Sequence, residues 1–256
     1  NANPIDVIDE YDKTNGSTRY LKGILRTSPY SMYAILRQHA GASASGSVDD
    51  KFKAFYDMCE CCGLFEKNPT TTCAAIDYRL SFLSQYHYSA YIPGNDGVAT
   101  AIADGIVPSV SDIENCVLTA EEEAAGLDLE EKREALRQRM IRFIRYHIQD
   151  YSIIKGGQYE NEGQYLSSTL NTATNKFYPI YVDQDGSNIE LLDNYNYQRR
   201  RQGNSFEKVK VSGELNNIMA RDLIVNSAAT TAATGIETYS YSVIHLLEDG
   251  KYLRFE

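Results

Sequence analysis

The chain has 256 residues, of which 43% are hydrophobic and 23% are charged. This is an ordinary globular composition, and the length allows one large domain or two small ones with a core that needs no disulfide or metal. Thirty-five acidic and 25 basic residues give a net charge of −10, which repels a phosphate backbone and argues against nucleic-acid partners. No apolar run reaches the roughly 18 residues of a membrane span.

The first residues, 1–17, have neither a basic start nor an apolar signal core, so we expect a chain that is cytoplasmic or already processed. Two apolar triplets then recur at helical spacing around a break at Ser28-Pro29. They are Leu21, Ile24 and Leu25, then Met32, Ile35 and Leu36. The small residues at 41–47 are typical of a linker. We therefore predict an N-terminal helical extension, or the remnant of a preceding domain, at 1–46 and the main domain at 47–256.

The main domain begins with helices and ends with strands. We expect a strand over 88–93 and then a helix capped by Asn95 or Asp96, and the longest helix runs from Asp128 to His147. Helix starts are predicted where a short polar side chain precedes a glutamate by three residues. These pairs are Ser111 with Glu114, Thr119 with Glu122, and Asp128 with Glu131.

After Ser152 the pattern changes to short β-rich runs between turn residues. They are 165–170, 177–182, 189–192, 208–211, 222–225 and 239–247. Helices first and closely spaced strands afterwards predict an α+β fold with an antiparallel or mixed sheet.

A search for chemistry-bearing motifs finds little. The chain has no G-x-S-x-G elbow, no G-x-G-x-x-G and no phosphate loop. The four histidines are far apart, and His147 and His245 lie in apolar stretches, where a histidine is expected to hydrogen-bond backbone carbonyls inside the core. We therefore expect no catalytic residues, no metal and no cofactor.

Five cysteines leave at least one thiol unpaired in a monomer. Cys59, Cys61 and Cys62 lie in an apolar helical stretch, where free cysteine behaves as a small hydrophobe. A bridge between Cys62 and Cys73 stays open, because it depends on an oxidising compartment.

One segment, 194–205, interleaves tyrosines with a run of arginines. Basic and aromatic residues together are typical of a polyanion contact, but the same pattern is typical of a hairpin loop with a solvated tip. The candidate ligand surface consists of Tyr195, Tyr197, Arg199, Arg200 and Arg201.

Three segments, in this order, resemble the signature of the fasciclin-like adhesion domain. Residues 88–98, YSAYIPGNDGV, resemble the family's first box, a strand that leads through Pro93 and Asn95 into a short helix. Tyr146 and His147 resemble its Tyr-His motif, and residues 242–247, SVIHLL with His245, resemble its second box. The resemblance covers about 47–256. Gly94 stands where the family commonly has Thr, Gly97-Val98 where Ala-Phe is typical, and insertions lie at about 66–87 and 193–206.

The resemblance implies a twisted β-wedge flanked by short helices, and a non-catalytic module of adhesion or matrix contact. It implies protein or glycan partners at the outer-membrane surface or in the periplasm of a bacterium, with membrane contact only through an N-terminal lipid anchor. The Tyr-His pair is tied to receptor contact in animal members, whereas its place on an apolar helix face predicts that His147 braces the helix against the sheet. The alternative is a carbohydrate-active or other hydrolytic enzyme, which needs two carboxylates roughly 5–9 Å apart in a cleft.

Overall fold

The computed structural model describes residues 26–27, 31–42, 48–67, 78–84, 86–156, 162–185, 188–224 and 238–256. The expectations for Leu21, Ile24, Leu25 and Cys73 lie outside these ranges. The helices are α1 (Met32–Gln38), α2 (Lys53–Cys61), α3 (Asn95–Ala103), α4 (Val110–Glu114), α5 (Ala120–Ala124), α6 (Leu129–Tyr146) and α7 (Asn194–Arg201). The strands are β1 (Arg26–Thr27), β2 (Phe65–Lys67), β3 (Tyr78–Leu80), β4 (His87–Ile92), β5 (Ile148–Asp150), β6 (Gly163–Asn171), β7 (Lys176–Asp185), β8 (Asn188–Leu192), β9 (Val209–Lys210), β10 (Ile218–Ile224) and β11 (Thr238–Leu246).

The fold is α+β, as the sequence predicts. Within the described ranges, nine strands form one mixed sheet in the order β1-β10-β11-β4-β5-β6-β7-β8-β9. Two pairs of neighbouring strands are parallel, β1 with β10 and β11 with β4, and the other pairs in this sheet are antiparallel. A separate hairpin pairs β2 with β3.

The large sheet curls back on itself beyond β9. Val211 forms an isolated antiparallel bridge with Leu247, and the backbone N–H of Ser212 donates to the carbonyl of Leu246 at 2.8 Å. The last strand of the sheet therefore meets the end of β11. Because side chains alternate between the faces of a strand, the curl separates two buried clusters, one under the helices and one inside the curl.

Local sequence explains where the helices begin. Asp128 Oδ1 accepts hydrogen bonds from the backbone N–H groups of Glu130 and Glu131 at 2.8 and 3.1 Å, and the predicted capping box at Thr119 is present. Helix α6 buries Met140, Phe143 and Ile144 along one stripe, so it lies against the sheet as the periodicity predicts.

Two predicted helix starts are wrong. The box in α4 joins Ser109 and Asp112, two residues before the predicted Ser111 and Glu114. Helix α3 has Gly94 as its N-cap without a side-chain cap, because Asn95 bonds elsewhere and Asp96 Oδ1 accepts from the neighbouring N–H of Gly97.

The N-terminal part of the chain differs from the predicted helical segment before the break at Ser28-Pro29. Residues 26–27 form β1, which pairs with β10, whereas α1 confirms the helical spacing of Met32, Ile35 and Leu36. These three side chains are buried in the cluster under the helices. The N–H of Met32 also donates to Asp222 Oδ2 on β10 at 3.3 Å. The division of the chain at residue 46 stays a prediction.

Candidate functional site: the α7 cleft and the motif residues

The two motif histidines lie inside the protein with both ring nitrogens bonded. His147 Nδ1 lies 2.8 Å from the carbonyl of Phe143, and His147 Nε2 accepts from the N–H of Leu253 at 2.9 Å. Since a backbone N–H can only donate, Nε2 carries no proton and Nδ1 donates, so the ring is neutral. Burial lowers the pKa of His147 to about 4. His147 thus joins the end of α6 to the C-terminal segment.

His245 repeats this arrangement on β11. Its Nε2 lies 2.8 Å from the carbonyl of Ile153, and its Nδ1 accepts from the N–H of Asn217 at 3.4 Å. Burial lowers the pKa of His245 to about 4. The prediction that both histidines brace the core through backbone groups is therefore confirmed.

The other motif residues also make structural contacts. The Tyr146 hydroxyl donates to the carbonyl of Pro179 at 2.9 Å and accepts from the N–H of Asn194 at 2.8 Å, which connects α6 to β7 and to the start of α7. Asn95 receives the N–H of Ala54 on Oδ1 at 2.8 Å and donates from Nδ2 to the carbonyl of Asp50 at 2.9 Å. Pro93 is buried directly after β4 and ends that strand.

The arginine run lies on a helix, so the hairpin-loop interpretation is wrong. Asp193 caps α7 by accepting from the N–H of Asn196 at 2.8 Å, and it also accepts from the N–H of Arg254 at 2.9 Å. No residue of α7 is buried, so no apolar periodicity marked this helix in the sequence. Its cap and its contacts with the C-terminal segment hold it in place.

Helix α7 divides the five predicted ligand residues between its faces. Tyr195 and Arg199, one helical turn apart, line a cleft, whereas the Tyr197 ring stacks on Tyr181 at 4.1 Å between centroids. Arg201 lies over the Tyr197 ring at 6.0 Å. Arg200 lies over the exposed ring of Phe206 at 5.8 Å.

The cleft has a volume of about 560 Å³, within the roughly 300–1,000 Å³ of small-molecule sites. We call it the α7 cleft. Four segments line it: α7 with its cap Asp193, the stretch 205–209, the C-terminal segment 250–254 and the end of α3. Its lining residues are Thr100, Asp104, Asp193, Tyr195, Asn196, Arg199, Ser205, Phe206, Glu207, Val209, Gly250, Lys251, Tyr252 and Arg254.

Most of these residues were missed by sequence reasoning. Arg254 and Tyr252 come from the C-terminal segment, and Thr100 and Asp104 come from a helix about ninety residues before α7. No motif spacing links them, because only the curl of the sheet brings their segments together. One signal in the sequence could have indicated them. Residues 251–255 combine aromatic and basic side chains, as α7 does.

The carboxylates of the cleft are engaged by protein donors. Both oxygens of Asp193 receive backbone N–H groups, and burial raises its pKa to about 6 despite those bonds. Glu207 pairs with Lys251 at 3.1 Å, and Asp104 accepts from the Tyr252 hydroxyl at 2.6 Å. The acidic groups therefore act first as braces of the cleft wall.

Cys59 is buried in the core, and Cys62 is partly buried against α6. Cys59 and Cys62 stand three positions apart, a spacing that occurs in metal and redox sites. Burial raises the pKa of Cys59 and raises that of Cys62 to about 12, so both are thiols at neutral pH. Across the described ranges, no three His, Cys, Asp or Glu side chains gather as a metal site, and no helix there is long and apolar enough to cross a bilayer.

Comparison with known proteins finds no family model that matches the chain, and no curated protein that is similar to it in sequence.

Proposed function

We propose that this chain is a fasciclin-like, non-catalytic binding module that acts outside the cytoplasm at a bacterial surface and contacts its ligand through the α7 cleft. The observation that carries the proposal is the meeting of the three motif segments around one strand. Strand β4 of the first box pairs in parallel with β11 of the second box. The N–H of Tyr91 on β4 donates to the carbonyl of His147 at 2.8 Å, and the Tyr91 ring stacks on His245 at 5.8 Å between centroids.

The architecture around these segments also favours the family. The described part combines a curled mixed sheet with short helices packed on one of its faces, which agrees with a β-wedge flanked by helices. The motif side chains Tyr146, His147, His245 and Asn95 form hydrogen bonds that join helices, strands and loops of this architecture. We therefore interpret the motif as the framework of the fold and the α7 cleft as the place where the ligand binds.

The chemistry of the motif histidines supports a binding role. An acid or base needs a titrating atom within hydrogen-bond reach of a substrate, and both nitrogens of His147 and His245 are occupied by backbone groups. The α7 cleft instead offers the exposed ring of Phe206 and the partly exposed side chains of Tyr195, Arg199 and Arg254, and aromatic and arginine side chains are typical of binding surfaces.

Paired variants on α7 test the proposal. Y195A/R199A removes one tyrosine and one arginine from the cleft, and Y197A/R201A removes the same residue types at the same spacing from outside it. Labelled wild-type protein is titrated onto envelope fractions and matrix material of bacteria. We expect at least about a tenfold loss of affinity for Y195A/R199A and little change for Y197A/R201A. Absence of wild-type binding, or equal losses for the two variants, contradicts the proposal.

A second measurement addresses the hydrolytic alternative. Wild type, D104N and E207Q are incubated with panels of glycosides and esters. We expect no turnover by the wild type. Turnover that either substitution abolishes would show that the cleft carboxylates are catalytic and would overturn the non-catalytic role.

A further inference from the structure

Arg254 brings into the α7 cleft a guanidinium that forms no side-chain hydrogen bond or ion pair with the residues that the structure describes. The guanidinium carbon of Arg254 lies 3.8 Å from the centroid of the Tyr195 ring, and its Nε is buried without a hydrogen-bond acceptor. No carboxylate among the described residues forms an ion pair with this side chain. A guanidinium held over an aromatic ring keeps its planar fork of N–H groups available for an anion.

Arg199 adds a second donor to the same cleft. Its Nε and Nη2 donate to the carbonyl and hydroxyl of Ser205 at 2.6 and 3.2 Å, and its Nη1 donates to the Tyr195 hydroxyl at 3.5 Å. Three of its five N–H groups are thereby used, so two remain for a ligand. Its guanidinium carbon lies 5.7 Å from the Tyr195 ring centroid. Tyr195 therefore contacts both arginines.

Among the described residues, no acidic side chain of the cleft forms an ion pair with either arginine, although the nearby charge of Arg254 opposes the rise that burial causes in the pKa of Asp193. Glu207 forms an ion pair with Lys251, and Asp104 accepts a hydrogen bond from the Tyr252 hydroxyl. Both oxygens of Asp193 accept hydrogen bonds from backbone N–H groups. In a chain of net charge −10, this leaves a local pair of open cationic donors. The pair favours a ligand that carries a small negative charge.

The rest of the lining favours a polyhydroxyl ligand over a phosphate. Thr100, Asn196 and Ser205 add neutral polar groups, and Asp104 and Glu207 add acceptors that suit hydroxyl groups and repel a highly charged phosphate. Phe206, with 42% of its surface exposed, offers an apolar face. A planar carboxylate fits the fork of an arginine.

The geometry points to a sugar that bears a carboxylate, either a uronic acid within a polysaccharide or a terminal sialic acid, as the ligand of the α7 cleft. This inference rests on the proposed function and names its ligand. The carboxylate binds to Arg254 and Arg199, the sugar ring lies against the aromatic side chains, and its hydroxyl groups meet the acceptors of the cleft wall.

Calorimetric titration of the full chain tests this inference. The probes are oligogalacturonate, oligoglucuronate and sialyllactose, each compared with its neutral methyl ester. We expect at least one acid to bind about tenfold or more tightly than its ester. R254Q and R199Q should each remove this preference, whereas R201Q, with the same charge change outside the cleft, should keep it. Circular dichroism and thermal melting verify that each variant is folded.

Several results would overturn the inference. They are equal binding of acids and esters, no binding of any probe, equally tight binding of sulfated sugars or inorganic phosphate, and equal effects of R254Q and R201Q. The proposed function would survive these results if envelope binding still failed in Y195A/R199A and persisted in Y197A/R201A. That combination would mean that the cleft binds a ligand of another class.

Discussion

At the level of single residues, the His147 ring supplies hydrogen-bond partners to two backbone groups inside the protein. The N–H of Leu253 has no strand partner of its own at this place and donates to His147 Nε2, while Nδ1 satisfies the carbonyl of Phe143. Buried backbone groups need such partners, and an unpaired one costs about 1–3 kcal/mol. The apolar face of the helix predicted that this histidine is internal, but the sequence did not show which backbone groups it contacts.

Replacing His147 with alanine should destabilise the protein strongly. H147A leaves the Leu253 N–H without its acceptor and opens a cavity, so the free energy of unfolding should fall by about 3–5 kcal/mol. Urea denaturation measures the loss. Q138A is the control, because Gln138 is exposed on the same helix, and a change there should stay within about 0.5 kcal/mol. Similar stability of H147A and Q138A would refute the bracing role.

At the scale of elements, α3 packs so closely on the C-terminal segment that only glycine fits at position 97. A Cβ there would overlap with the carbonyl oxygen of Lys251 and lie 3.2 Å from its carbonyl carbon and from Pro93. This explains why glycine occupies position 97. The same contact positions 250–254, which forms one wall of the α7 cleft.

The substitution G97A should therefore be destabilising although alanine is the better helix former. Helix propensity alone favours alanine by about 1 kcal/mol, but the overlap with backbone should lower the free energy of unfolding by about 1–3 kcal/mol. Thermal and urea unfolding measure whether G97A raises or lowers the free energy of unfolding. G213A is the control, since no atom lies within 4 Å of a Cβ at Gly213, and it should be neutral or slightly stabilising. Stabilisation by G97A would contradict the close packing.

In the molecule as a whole, four buried groups with shifted pKa values have opposite effects on the pH dependence of stability. Burial lowers the pKa of His147 and His245 to about 4, and it raises that of Asp193 to about 6 and that of Asp222 to about 7. Between about pH 4 and 6 the unfolded chain holds protons on the two histidines, and the native chain holds them on the two aspartic acids. Their contributions to the pH dependence of stability therefore cancel in this window.

Single substitutions should separate the contribution of an aspartic acid from that of a histidine to the pH dependence of stability. Wild-type Asp222 loses stability as pH rises towards 7, so the stability of D222N relative to wild type should rise by about 1.4 kcal/mol per pH unit from about pH 4. Wild-type His245 loses stability as pH falls below its unfolded pKa. The stability of H245Q relative to wild type should accordingly fall by about 1.4 kcal/mol per unit as pH rises from about 4 to 6.5. Urea titrations across this window measure both slopes, and slopes of the same sign would disprove the cancellation.

The class of the fold and much of its local structure follow from the pattern of neighbouring residues. The change from helical to alternating periodicity predicted the α+β order, and short polar side chains before glutamates marked the caps of α5 and α6, because both signals depend on neighbours within a few residues. The internal position of His147 and His245 followed from the same apolar patterning.

The position of the α7 cleft depends on the tertiary fold. Helix α7 has no apolar stripe, so its helicity depends on the Asp193 cap and on contacts with the C-terminal segment. Arg254, Tyr252 and Thr100 join Tyr195 because the sheet curls until residues beyond β9 meet the end of β11. Contacts between residues so far apart in the chain depend on how whole layers pack, and a local pattern of residue types carries no record of that packing.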